Sequence, residues 1–168
     1  MKIKTREMVI AAMMISLCGL AGLTAQYVYY DSVKLSFFFL PISVIGSCLT
    51  PIISVPAAVI GDFVNWYCKP VGAYFPGYGL SAALTVIVYA IFIYKKELKI
   101  WRVAVARAIV VILIDSVLNM FWGSIVTGKG ISIIFIPRIV KSLIEYPIDV
   151  YLIYIFVKFS RKLINKTN

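Results

Sequence analysis

The sequence predicts an all-α, polytopic membrane protein with six transmembrane helices, and three observations support that prediction. Hydrophobic residues make up 62% of the 168 positions, and only 14% of the residues are charged. A soluble domain carries about a quarter charged residues. The apolar residues also form runs close to the ~20 residues that a helix needs to cross a bilayer, and a water-soluble fold would leave many of them exposed.

The apolar runs set the order of the predicted helices and of the connections between them. A turn is expected at Thr50 and Pro51, because one helix over residues 37–67 would be too long for the bilayer. Pro137 is expected in the first turn of the last helix, where proline is favourable. No polar linker divides the chain, so a single domain over residues 1–168 is expected. The predicted helices cover residues 8–27, 37–49, 51–67, 79–94, 102–122 and 137–159.

Basic side chains outnumber acidic ones by 17 to 7, and they cluster at the ends of the apolar runs. With the N-terminus in the cytoplasm, eleven of them fall on the cytoplasmic side and three in outer loops. This asymmetry predicts a protein of the cell membrane with both termini in the cytoplasm. A nucleic-acid partner is not expected, because the sequence offers no continuous basic face. The eleven are Lys2, Lys4, Arg6, Lys95, Lys96, Lys99, Arg102, Lys158, Arg161, Lys162 and Lys166, and the three are Lys34, Lys69 and Lys129.

The N-terminal basic residues and the apolar run behind them could also form a signal peptide. A first transmembrane helix is the simpler interpretation, because the rest of the chain consists of membrane segments as well. The chain contains no histidine, and Cys18, Cys48 and Cys68 are far apart. Histidine-based acid–base chemistry and most zinc sites are therefore excluded, and no metal or cofactor is expected.

Ionisable side chains inside the predicted helices are few, and a charge in the bilayer is costly enough to make each a candidate for function. They lie at helical spacings, so that each set forms one stripe along its helix. The stripes are expected to face a shared cavity that opens to the outside. They consist of Asp62, Asn65 and Trp66; of Asp115, Asn119 and Trp122; and of Arg138, Lys141, Glu145 and Asp149.

A purely structural interpretation of these charges stays open. Lys141 and Glu145 are four residues apart and could neutralise each other. Asp149 could pair with Arg107 of the fifth helix, and the aspartates of the other two stripes could bond to backbone groups.

The first predicted helix carries small residues at the spacing that lets another helix approach closely. Ala12 and Ser16 form one such pair with Gly19 three residues on, and Ala21 and Ala25 form a second. Packing within the chain would explain these residues equally well.

Several short segments within residues 35–157 follow one family pattern. They are Phe39-Leu-Pro-Ile42, Gly61-Asp62, Gly72-Ala-Tyr-Phe-Pro-Gly77 running into Leu80-Ser-Ala-Ala-Leu84, Asn119 with Trp122, and Pro137-Arg138 followed by Lys141 and Pro147. Together they resemble the folate-family substrate-binding components (S-components) of energy-coupling-factor vitamin transporters. The segment from Gly72 to Gly77 is the most specific of them.

This resemblance implies a six-helix S-component bundle that binds one vitamin molecule near the outer face and has no catalytic activity. It further implies a transmembrane coupling subunit and two cytoplasmic ATPases as partners. The sequence itself contains no nucleotide-binding loop, so ATP dependence would come from those partners. In this family the small residues of helix 1 dock on the coupling subunit, which implies that role for Ala12 and Ser16, although serine stands where alanine is more usual.

The chemistry of folate suits the candidate residues. A carboxylate, from Asp62 or Asp115, can accept the adjacent N–H groups of the pterin edge. The glutamate tail is an anion and suits Arg138, Lys141 or Lys129. Flat rings need aromatic walls and polar neighbours, for which the candidates are Asn65, Trp66, Tyr74, Phe75, Asn119 and Trp122.

Three alternatives to a folate-binding subunit stay open. The residues Asn65-Trp66-Tyr67 replace the small residues of the family pattern, so the same fold could serve another vitamin or small molecule. A stand-alone channel or carrier is disfavoured, because the six helices show no repeat symmetry. A membrane protease or transferase would need a Ser–His pair or a paired-Asp motif, and neither is found.

Overall fold

The computed structural model describes residues 5–27, 29–30, 33–34, 37–68, 74–128 and 131–166. Side chains are described over the same ranges except at 24–34, 127, 131–141, 143 and 165–166. Statements about side-chain contacts below concern this described part of the chain.

The described residues form six helices, which confirms the predicted all-α class. Tyr29–Tyr30 and Val33–Lys34 pair as β1 and β2 of a short antiparallel hairpin between the first two helices. The helices are α1, Thr5–Tyr27; α2, Phe39–Cys48; α3, Pro51–Cys68; α4, Pro76–Ile93; α5, built from the consecutive segments Ile100–Ile109, Val110–Leu118 and Asn119–Thr127; and α6, Ile131–Lys166.

The turn predicted between the second and third helices is confirmed. Leu49 leaves the end of α2 in an extended conformation, with φ −96° and ψ 155°. Glu7 of α1 stabilises the start of α3, because its carboxylate accepts hydrogen bonds from the Thr50 hydroxyl at 2.6 Å and the Thr50 N–H at 3.3 Å. A negative charge at a helix N-terminus satisfies free N–H groups and complements the helix dipole.

Two helices, α5 and α6, extend by five or more residues beyond a predicted end. The predicted sixth helix starts at Pro137, but α6 begins at Ile131 and has 36 residues, so the expectation that Pro137 lies in its first turn is wrong. At 1.5 Å per residue it measures about 54 Å, more than the ~30 Å hydrocarbon core. α5 continues to Thr127, where Gly128 ends it with a positive φ of 66°. The apolar residues before Pro137 and after Trp122 extend both helices without a break.

α2 is the centre of the bundle and packs against α1, α3, α4 and α6. Its residues Pro41 to Ser47 are all buried, which a helix surrounded on every side requires. One apolar core joins α2, α4, α5 and α6 around Tyr89, and another joins α1 to α4 around Cys18 and Ala58.

Three helices in the described part of the chain are long and apolar enough to cross a membrane by length and composition. They contain the segments Thr5–Leu23, Pro76–Ile93 and Ile100–Val126. α3 and α6 carry the polar stripes noted in the sequence, which lower their apolar character. Large apolar side chains such as Ile52, Leu113 and Ile144 are exposed, as expected for a surface that faces lipid.

Candidate functional site

Seven aromatic side chains gather where α3 ends, α4 begins and α5 ends, and we call them the aromatic cluster. Trp66 and Tyr74 lie with their ring centroids 5.4 Å apart, and Phe75 and Trp122 are separated by the same distance. These separations are typical of favourable aromatic pairs. The cluster consists of Phe63, Trp66, Tyr74, Phe75, Tyr78, Phe121 and Trp122.

Asp62 lies beside this cluster as a buried carboxylate with 9% of its surface exposed. The Tyr74 hydroxyl donates a long hydrogen bond of 3.3 Å to it. Burial raises the pKa of the Tyr74 hydroxyl, and the neighbouring carboxylate adds to the rise, so Tyr74 stays protonated as a donor. A carboxylate accepts about four hydrogen bonds, so Asp62 can accept further donors from a ligand.

Two glycines leave room around Asp62 and the aromatic rings. A Cβ at Gly79 would lie 3.0 Å from the Tyr74 hydroxyl oxygen and 3.9 Å from Asp62 Oδ2. A Cβ at Gly77 would lie 2.4 Å from the ring of Phe75 and 2.7 Å from that of Trp122. A side chain at position 77 would therefore displace the rings of Phe75 and Trp122, and one at position 79 would crowd the Tyr74 hydroxyl. The family motif includes Gly77.

Several polar atoms near the cluster are buried and have no hydrogen-bond partner among the described residues. They are Asn65 Oδ1, Trp66 Nε1 and Trp122 Nε1. Buried polar atoms in folded proteins are bonded in at least nine cases out of ten. Asn65 and Trp66 follow Asp62 by one turn of α3, and Trp122 belongs to the aromatic cluster. A site for a ligand with hydrogen-bond donors and acceptors would contain such atoms.

Asp115 lies in a different environment, an ion network centred on Arg107. The Arg107 guanidinium contacts Asp149 at 2.7 Å and Asp115 at 3.3 Å, and only 11% of its side chain is exposed. The predicted pairing of Asp149 with Arg107 is therefore confirmed. Asp115 also accepts a hydrogen bond of 3.1 Å from the Asn119 amide, so its contacts within the described residues are a cation and an amide.

The middle of α5 makes this network possible, because Val110–Leu118 is a π-helix. In a regular α-helix, Arg107 and Asp115 would point about 80° apart around the axis. The wider π turns, with their i→i+5 bonds, bring the two side chains to one face. No sequence signal predicted this stretch, and Arg107 entered the sequence analysis only as a partner for Asp149.

The remaining site candidates divide between described and undescribed residues. The side chains of Arg138 and Lys141 and all of Lys129 lie outside the described part, so their predicted role on the glutamate tail stays a prediction. Asn119 connects the two environments, since it bonds to Asp115 and precedes Trp122 of the aromatic cluster by three residues.

The small residues of α1 belong to two different surfaces. Ala12 and Ser16 are exposed, and the Ser16 hydroxyl bonds back to the Ala12 carbonyl at 3.0 Å. Gly19 is buried instead, and a Cβ there would lie 3.0 Å from Val64 of α3. The first pair therefore presents a smooth outer surface, whereas Gly19 serves packing within the chain.

Fold and site together define a small helical membrane protein that holds polar and aromatic groups in a buried site near one end of its bundle. No family model matches the sequence. A curated folate transporter FolT of Clostridium novyi (strain NT) is 33% identical over 122 residues, which cover 73% of this chain and 71% of the relative. A folate transporter FolT of Leuconostoc mesenteroides subsp. mesenteroides is 30% identical over 160 residues, covering 91% and 85%.

A crystal structure of FolT bound with folic acid matches with a TM-score of 0.78 and 30% identity, covering 90% of this chain and 92% of that one. The chain therefore belongs to the family of FolT folate transporters. This confirms the resemblance seen in the sequence motifs. Because the family consists of transport proteins, the protein is not an enzyme, and the protease and transferase alternatives are wrong.

Proposed function

We propose that this protein is the folate-binding subunit of an energy-coupling-factor importer, a single six-helix domain in the cell membrane. The observation that carries the proposal is its membership of a family whose relatives are folate transporters, one of them solved with folic acid. The buried Asp62 beside an aromatic cluster supports it, because a pterin ring needs both a carboxylate and flat apolar walls.

Asp62 accepts the adjacent N–H groups of the pterin, and Asn65 supplies the neighbouring amide. Two arguments favour Asp62 over Asp115 in this role. Asp62 contacts Tyr74 of the aromatic cluster, and its described hydrogen bond is long at 3.3 Å. Asp115 is already held by Arg107 and Asn119. The rings of Trp66, Tyr74, Phe75 and Trp122 enclose the pterin and the aminobenzoyl group.

The glutamate tail of folate binds to the basic residues at the start of α6. Arg138 is the first candidate because a guanidinium binds a carboxylate through two parallel hydrogen bonds. Lys141 lies three residues later on the same helical face, and Lys129 is in the connection before the helix. Asn119 and Asp115 occupy the wall between the tail and the rings.

Energy for uptake comes from a coupling subunit and two ATPases, and the coupling subunit docks on Ala12 and Ser16 of α1. Both residues are exposed, and the internally bonded Ser16 hydroxyl leaves this surface without an unsatisfied donor. Small residues allow a partner helix to approach closely. Both termini lie in the cytoplasm, as the excess of basic residues at that end of the helices favours.

Uptake of labelled folate in cells tests the complete proposal. Cells that produce this protein with a coupling module should accumulate folate, and the protein alone should not. Ala12→Trp should abolish uptake while binding by the purified variant stays within about twofold of the original, because the added ring blocks docking far from the ligand. Leu113→Trp is the matched control, since Leu113 is also exposed but lies on α5, with 58% of its surface accessible. If the cells accumulated another vitamin instead of folate, the assignment as a vitamin-importer subunit would stand, but folate would be the wrong substrate.

A further inference from the structure

A wedge-shaped cavity opens where α1 begins and α6 ends, at the opposite end of the bundle from the aromatic cluster. α1 packs on α2 and α3, whereas α6 packs on α2 and α5, and residues of α1 and α6 line a space over α2. The space between them has a volume of about 190 Å³. Val44 of α2, whose side chain is fully buried, lies at its base.

The walls of this cavity are apolar and its polar groups are few. Met13 and Met14 line it from α1 and Leu163 from α6. Met13 and Leu163 are also exposed, with 60% and 52% of their surfaces accessible, so the cavity opens towards the lipid side of the bundle. Its polar side chains are Arg6 and Ser160.

Arg6 is held in place, because its guanidinium donates a hydrogen bond to the Ile164 carbonyl in the last turn of α6. A guanidinium carries five N–H donors in a planar fork that fits a phosphate group. Of the neighbouring basic residues of α6, Arg161 donates instead to the Ser47 and Ile93 carbonyls, and Lys162 lines a separate groove. Among the described residues, the cation that lines this cavity is therefore Arg6. A basic side chain near the membrane surface attracts anionic lipids.

We propose that this cavity binds an anionic phospholipid, with one acyl chain between α1 and α6 and the phosphate at Arg6 and Ser160. The volume of about 190 Å³ lies below the ~300 Å³ at which pockets for drug-sized ligands begin, so it favours a slender chain. A helix of a partner protein is 10–12 Å wide and would not enter it. The apolar walls match a hydrocarbon chain, and the cation at the mouth matches an anionic headgroup.

Native mass spectrometry of the purified protein in a neutral detergent tests this site with phosphatidylglycerol and phosphatidylcholine. The protein should retain one molecule of phosphatidylglycerol in a saturable manner and bind phosphatidylcholine more weakly. Arg6→Gln should weaken phosphatidylglycerol binding about fivefold, the effect of one basic residue near an anionic surface. It should weaken phosphatidylcholine binding less, because both lipids carry a phosphate but only phosphatidylglycerol has a net negative charge. Arg102→Gln is the matched control, because that arginine lies at the same end but over the ring of Trp101, and it should change neither.

A second variant tests the acyl-chain part of the site. Met13→Trp fills the cavity from an exposed position, and it should weaken both lipids about fivefold or more. Met8→Trp is its control, since Met8 is similarly exposed but does not line the cavity. Equal binding of the two lipids with no effect of Arg6→Gln would overturn the proposal. It would also be overturned if inorganic phosphate displaced the lipid, or if Met13→Trp changed the binding of neither lipid.

Discussion

Asp62 and Asp115 are both acidic residues in membrane helices, but their contacts give them different roles. Asp62 meets the hydroxyl of Tyr74 and the edge of the aromatic cluster, whereas Asp115 is paired with Arg107. The sequence could identify both residues from the cost of charge in a bilayer. It could not separate them, because the difference depends on which side chains of other helices come near.

Asp62→Asn should weaken folate binding about 10- to 100-fold, since hydrogen bonds to a charged group contribute about 1.5–3 kcal/mol. Asp115→Asn should change the affinity less than Asp62→Asn does and should lower the unfolding temperature more. Binding and thermal unfolding of both variants, measured in one detergent, check the assignment. If Asp115→Asn weakened folate binding more than Asp62→Asn does, Asp115 would be the residue that binds the pterin.

At the scale of single helices, α5 shows what the sequence could not predict. Its apolar run was sufficient to predict a membrane helix, and the stripe of Asp115, Asn119 and Trp122 was found by spacing. The π-helical segment Val110–Leu118 was not predicted, because no proline or glycine in the sequence marks it. Contacts of Arg107 with Asp115 and Asp149 accompany it, and the second of them depends on the partner helix α6.

Arg107→Met should lower the free energy of unfolding by about 3–5 kcal/mol, because two carboxylates then lose their shared buried cation. The triple variant in which Asp115→Asn and Asp149→Asn are added should recover a large part of that loss. Thermal unfolding of the single and triple variants in detergent measures both effects. A triple variant less stable than Arg107→Met alone would show that the carboxylates have other partners.

The contact between α1 and α3 depends on Gly22. A Cβ at this position would lie 2.5 Å from the backbone carbonyl oxygen of Asn65 and 2.9 Å from its Oδ1. Gly22→Ala should therefore push the two helices apart, lower stability by about 1–3 kcal/mol and reduce folate affinity through Asn65. Leu20→Ala is the matched control, because Leu20 is exposed on the same helix. If both variants changed the folate affinity equally, the α1–α3 contact at Gly22 would have no specific influence on the folate site.

For the whole molecule, composition, apolar runs and the distribution of basic residues predicted six helices, and the described part of the chain forms six. The helices could be predicted because the thickness and apolar character of the bilayer determine the length and composition of the segments that cross it. The family could be recognised from the segment Gly72 to Gly77, and curated relatives confirm it. The start of α6 at Ile131 and the end of α5 at Thr127 were not predicted. Pro137 and Trp122 were taken as the boundaries, but both helices continue beyond them.

Equilibrium titration of the purified protein with folate, followed by tryptophan fluorescence, tests the central claim most directly. Trp66 and Trp122 lie in the aromatic cluster, so folate should quench their emission in a saturable manner at submicromolar concentrations. Trp101→Phe should leave the signal intact, because Trp101 lies in the first turn of α5 at the other end of the helix. The predicted result is that folate quenches the fluorescence of the original protein in a saturable manner. Trp66→Phe and Asp62→Asn should each diminish that quenching. A protein that responds to no folate concentration, but does respond to a different vitamin, would contradict the claim.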